Sequence, residues 1–284
     1  MRAVTEGEAA VARPWHRRPL GVALVVVAVV AVAGGVAFAV AWRDRGAREA
    51  STDDALDRFR DEEPGTTLPS GGLVPPSGVS TYDAAGTERL SLLDTEQTWG
   101  PTVPASITHD DEGCWSIRVE FSTNHHQTTR YCADAGVLRE TGGETYQRFD
   151  FVAFEAEDTT VFTCDPPSDA VRLDAEVGDT WEHTCTGRSD ARGTEVSSSG
   201  PTTFVGVEEI VVGGDAVPAL HYRMERTLTG DQRGTETTEH WYAPDDAMLL
   251  RITHDIAVAS PSPVGDVDYT EVGELTLTSR TPQR

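Results

Sequence analysis

The sequence predicts a mainly β protein: one N-terminal transmembrane helix, then an antiparallel β-meander curved into a half-barrel or barrel-like sheet. Three observations carry that prediction. Residues 20–42, LGVALVVVAVVAVAGGVAFAVAW, hold no charged, amide or hydroxyl side chain. From Val79 onward apolar and polar residues alternate with the period of two that buries one face of a strand. After residue 63 no segment of helical period and useful length appears.

At a rise of about 1.5 Å per residue the apolar run reaches roughly 34 Å, enough to cross a hydrocarbon core of about 30 Å. It divides the chain into a cytoplasmic tail (1–19), a transmembrane helix (20–42), a juxtamembrane segment with a flexible Pro/Gly stalk (43–78) and an extracytoplasmic β domain (79–284). The run is longer than the roughly 7 to 15 residues of a secretory h-region, which favours an uncleaved signal-anchor. Ala37, Phe38 and Ala39 nonetheless resemble a cleavage site that would leave Val40 as the first mature residue. Arg13, Arg17 and Arg18 abut the helix without an intervening acid, whereas Asp44 and Glu49 mix with the arginines beyond it. That asymmetry puts the N terminus in the cytoplasm and the C-terminal domain outside a cell membrane crossed once.

Ser51 to Glu63 sets Leu56 and Phe59 on one helical face, which predicts a short helix. Pro64 to Gly78 is dense in Pro and Gly and reads as the stalk. In Cys114 to Ser122, Trp115, Ile117, Val119 and Phe121 alternate with polar residues, a strand whose partner is Thr128 to Ala133. Tyr146 to Phe154 carries apolar residues on both faces, as a central strand does. Val161 to Cys164 and Thr180 to Thr186 follow, separated by a turn at Asp165 to Asp169. Phe204 to Val212 and Val217 to Leu228 meet at Gly213 and Gly214, residues that supply the positive φ of a tight hairpin. Further strands over Thr235 to Tyr242, Met248 to Val258 and Val267 to Thr278 complete a meander that must curl or close to protect its edges.

All four cysteines, Cys114, Cys132, Cys164 and Cys185, fall in the exported domain, where an even number favours disulfides. Each nearest-neighbour pair sits on consecutive strands, so Cys114 is expected to join Cys132 and Cys164 to join Cys185. A metal site using Cys164, His183 and Cys185 is the competing arrangement, without a Cys-x-x-Cys element or a fourth ligand. Residues 43–284 hold 19 Arg against 45 acids, a formal −26. Such a surface repels phosphate backbones, which excludes nucleic acid as a partner.

The run from Val207 to Arg251 contains VGGDAVPALH, then GDQRGT, then WYAPDDAMLLR. With the anchor, this layout resembles uncharacterised actinobacterial single-pass membrane-anchored extracytoplasmic β proteins. More remotely it is similar to the lipoprotein-carrier (LolA-like) fold, a curved antiparallel sheet with an apolar concave face. The resemblance implies a site for a lipid-like ligand, yet the chain lacks the helices that plug that face in the carriers.

No catalytic, cofactor-binding or metal-ligating residue is assigned from the sequence. His125 and His126 occupy a polar stretch that reads as a solvated turn, and adjacent strand residues face opposite ways. His109 to Gly113 lacks the ligand spacing of a calcium loop. Asp266 and Asp268 share a strand face without a visible cleft. The expected function is therefore that of a membrane-tethered, non-enzymatic binding module for an apolar ligand or an envelope protein. A cell-envelope hydrolase is the alternative, and it requires carboxylates distant in sequence to converge within about 5 to 10 Å. A single-pass sensor would have to signal through the nineteen-residue tail.

Overall fold

The structure, a computed structural model, describes residues 47–62, 72–91, 96–150, 155–262 and 265–284. The cytoplasmic tail, the transmembrane helix, residues 43–46, Glu63 at the end of the expected helix, residues 64–71 of the expected stalk and residues 151–154 of the expected strand Tyr146 to Phe154 lie outside the described residues. No described helix is long and apolar enough to cross a membrane.

One helix, α1 (Thr52–Glu62), precedes thirteen strands: β1 (Gly78–Leu90), β2 (Glu96–Thr98), β3 (Thr102–His109), β4 (Cys114–Ser122), β5 (His125–Asp134), β6 (Val137–Asp150) and β7 (Glu155–Arg172), then β8 (Thr180–Ser189), β9 (Glu195–Val212), β10 (Asp215–Gly230), β11 (Arg233–Tyr242), β12 (Leu249–Ser262) and β13 (Gly265–Leu277). Twelve of them form a closed antiparallel barrel in the order β1, β3, β4 and onward to β13, which returns to β1. The seam runs from Tyr82 opposite Leu277 to Leu90 opposite Tyr269. Closure pairs the edges that a meander would otherwise expose. Strand β2 lies outside this cycle and pairs only with β1, over Thr87 to Arg89.

Gly213 and Gly214 make the two-residue turn between β9 and β10 with φ of 62° and 95°. Both disulfides form between the expected partners, Cys114 with Cys132 and Cys164 with Cys185. The turn expected at Asp165 to Asp169 is instead part of β7. There β7 stops pairing with β8 after Thr163, and Ser168 Oγ takes over, donating to the Thr184 carbonyl at 3.3 Å and accepting the Thr184 N–H at 3.1 Å. A side chain can thus substitute for a ladder bond that proline cannot donate.

One end of the barrel is packed solid. Tyr82, Ile107, Trp115, Leu138, Tyr222, Tyr242, Leu250, Leu275 and Leu277 are fully buried there, and Leu73 caps them. Trp115 donates its indole N–H to the Leu73 carbonyl at 3.1 Å, so the polar edge of the ring is satisfied inside the core. Leu73 falls in the segment expected to be a stalk; residues 72–78 are built into the domain. The helix α1 lies on the outer wall, with Ala55, Leu56 and Phe59 buried around Val79 and Arg58 paired with Glu120 of β4 at 2.7 Å.

Trp99 packs its ring against the inner face of the seam, over two glycines. Gly86 and Gly273 are register partners across β1 and β13, and a Cβ on either would lie 2.3 Å or 2.2 Å from the Trp99 ring. Gly86→Ala and Gly273→Ala are each expected to lower stability by about 1–3 kcal/mol through overpacking. Urea unfolding would register this as an earlier midpoint at unchanged slope.

Candidate functional site

The other end of the barrel is open inside. A cavity of about 670 Å³ is walled by Leu90, Phe149, Phe162, Leu228, Ile256 and Val258, with polar side chains such as Gln127, Thr145, Gln147 and Glu236 between them. That volume falls in the range of sites for drug-sized or lipid-sized ligands, about 300 to 1,000 Å³. Its apolar wall follows from period two, because Leu228 continues the inward phase of Tyr222 and Met224 along β10.

Buried and half-buried titratable side chains form part of the lining of this cavity. Glu140, His183 and Arg226 border it on one side, and His125 and Glu271 on the other. Glu140 accepts from His183 Nε2 at 3.1 Å and lies 3.7 Å from Arg226 Nη2. A register shift between Glu140 and Gly142 helps aim that carboxylate inward. The φ of +143° at Gly142, and the Phe162 carbonyl 2.2 Å from where a Cβ would stand, restrict the position to glycine. Burial opposes ionisation of Glu140, but the His183 hydrogen bond and the Arg226 charge outweigh it and hold the carboxyl below its ordinary value.

On the opposite side Glu88 and Glu271 are direct partners across the β1–β13 seam, and both are almost fully buried. Glu88 accepts from Trp99 Nε1 at 2.9 Å and contacts His125 Nδ1 at 2.8 Å. Glu271 contacts His254 Nδ1 at 2.9 Å and accepts from the Tyr269 hydroxyl. Burial disfavours a charged His125, yet Glu88 and Glu271 outweigh it and raise the imidazole above its ordinary value. For Glu271, burial is outweighed by His254 and by the His125 charge, and its carboxyl is lowered.

His125 therefore does not sit in a solvated turn; it is buried, stacked on Phe121 at 4.6 Å between ring centroids. His126 takes the opposite face, as adjacency on a strand requires. Cys164 and Cys185 lie beside His183 and Glu140, so the structure brings a fourth donor to the metal arrangement weighed from the sequence. Both sulfurs are engaged in the disulfide, which removes them as thiolate ligands. Asp266 and Asp268 are exposed, with Asp266 3.3 Å from Arg233, and border no described cavity. Glu88, Glu140, Arg226 and Glu271 were not legible as site residues by composition, but one signal marks them: each sits on the inward phase of its strand.

His240 belongs to the same layer. Burial first, then the neighbouring His254 and Arg226, push it well below its ordinary value, while Nδ1 meets the Tyr242 hydroxyl at 2.8 Å. The unfolded chain protonates this imidazole near its ordinary 6.5 and the folded chain does not. Its contribution is whole above that pH and is lost as the pH falls toward the folded value. His240→Gln should flatten the fall in urea midpoint between pH 7 and pH 5.

No family model and no curated protein matches the chain. Among solved structures, it is similar to the hypothetical lipoprotein YmcC from Escherichia coli (K12), at 13% identity and a TM-score of 0.35, over 84% of this chain and 100% of that one. It is also similar to a protein described as a lipoprotein from Parabacteroides distasonis, at 8% identity and a TM-score of 0.33, over 72% and 97% of the two chains. At such scores neither lends this chain a family, a ligand or a location.

Proposed function

We propose that the protein is a membrane-tethered, extracytoplasmic and non-enzymatic binding module, and that its barrel takes the apolar part of a lipid-like ligand into the lumen. The observation that supports this most is the cavity of about 670 Å³, apolar along its wall and charged at its floor. Apolar area removed from water drives entry at about 25 cal/mol per Å². The floor around Glu140, His183 and Arg226 supplies donors and acceptors for a polar end. In this reading residues 20–42 form the single-pass anchor with the N terminus in the cytoplasm, as in the actinobacterial anchored β proteins that the sequence resembles. A mature N terminus at Val40 would remove the anchor from it.

Mass spectrometry of molecules that co-purify with the full-length chain tests the ligand. An amphipathic small molecule is expected with the unaltered protein and should be lost from Leu228→Trp, which fills the lumen. A protein partner retained equally by both would move the site to the outer surface. The hydrolase reading gains one observation: Glu88 and Glu271, far apart in sequence, bring carboxylate oxygens within 4.8 Å of each other. Hydrolysis of envelope glycosides that disappears in Glu271→Gln would favour it.

A further inference from the structure

We propose that Glu88, His125 and Glu271 form a binding site for one divalent transition cation, with zinc as its probe. Closure of the barrel sets Glu88 and Glu271 directly opposite each other on the same inner face. Like charges in that relation repel, and burial strengthens the repulsion. His125 reaches the same point from β5, so that one oxygen of each carboxylate and one imidazole nitrogen lie within 4.8 Å of one another. Around tetrahedral zinc with bonds of 2.0–2.2 Å the donors stand about 3.3–3.6 Å apart, so side-chain rotation that draws the farther donors in by about 1 Å, and opens the His125 Nδ1 to Glu88 Oε1 pair from 2.8 Å, completes the cradle. A set of one imidazole and two carboxylates suits a borderline or hard first-row ion rather than a soft one.

The surroundings are those a metal centre needs. Trp99 Nε1 donates to Glu88, while His254 and the Tyr269 hydroxyl hold Glu271. Groups that orient ligands in this way fix their geometry and raise affinity. His125 and Glu271 also border the cavity, so a fourth coordination position would face the lumen. The cation would take the place of the proton shared between His125 Nδ1 and Glu88 Oε1. Metal binding is independent of the lipid-like ligand and can be measured without one.

The test is calorimetric titration of Zn2+ into the full-length chain in mild detergent, stripped with a chelator and with its disulfides intact. One equivalent is expected, with affinity falling at least about tenfold in Glu88→Gln and in Glu271→Gln and unchanged in His126→Ala. Absence of stoichiometric binding, or an affinity in either glutamine variant equal to that of the unaltered protein, would overturn the site. Crystals of the unaltered protein soaked in zinc give a reading free of folding defects. An anomalous peak between the three side chains supports the proposal; a peak elsewhere only, or none, rejects it.

Discussion

Trp99→Ala is expected to lower the unfolding free energy by about 3–5 kcal/mol, the range for deleting a buried indole. The Trp99 ring lies over Gly86 and Gly273, packs on Phe121 at 4.7 Å between centroids, and meets His254 edge-on at 6.0 Å. The two glycines have no side chains with which to refill the space, so the cavity should persist. Glu88 would lose its indole donor as well. Urea unfolding followed by near-ultraviolet circular dichroism measures the loss. Trp99→Phe separates the terms: it keeps most of the volume, removes the N–H, and should cost about 1–3 kcal/mol for the under-satisfied carboxylate. Equal stability of the alanine variant and the parent would mean that the indole is not a packing element.

Glu140→Leu should cost a similar amount, about 3–5 kcal/mol, because it strands a buried cation. Arg226 is 12% exposed and has Glu140 as its carboxylate partner at 3.7 Å. A guanidinium cannot shed its proton to escape burial, so the penalty stays. The double variant Glu140→Leu with Arg226→Met removes both charges and should recover most of the loss. A coupling energy well under 1 kcal/mol in this cycle would show that solvent in the cavity screens the pair. Stability and ligand retention should part company here: the double variant folds, but its lumen lacks the charged floor.

The strands from Cys114 to Ser122 and from Phe204 to Leu228 were legible because their inward positions are apolar and their turns carry glycine. Strand β1 was harder to read. Its inward phase, Tyr82, Ala84, Gly86, Glu88 and Leu90, mixes small and charged residues that resemble a solvated face. Register explains those residues: glycines admit Trp99, and Glu88 meets Glu271 across the closure. Such partners are 183 positions apart, beyond the reach of any local pattern. Glu271 shares its phase with Leu275 and Leu277, and Arg226 with Met224 and Leu228, so a charge on an apolar phase was the readable trace of the site. The cysteine pairs were legible because each joins neighbouring strands. The proline-containing stretch of β7 was not, since a serine hydroxyl there donates to the Thr184 carbonyl in place of the missing ladder bond.

The seam between β1 and β13 also bears on how the molecule comes to exist. A ribosome delivers β1 nearly two hundred residues before β13. Until the last strand arrives, the first has an unpaired edge, and Glu88 has no Glu271 opposite it. Assembly is therefore dominated by contacts of long sequence separation, which fold slowly. A chain interrupted before Gly265 would present two free strand edges to its neighbours, a template for association between copies. Completion of the lumen, and of any site on its floor, thus waits for the final strand and makes that strand a checkpoint between synthesis and binding.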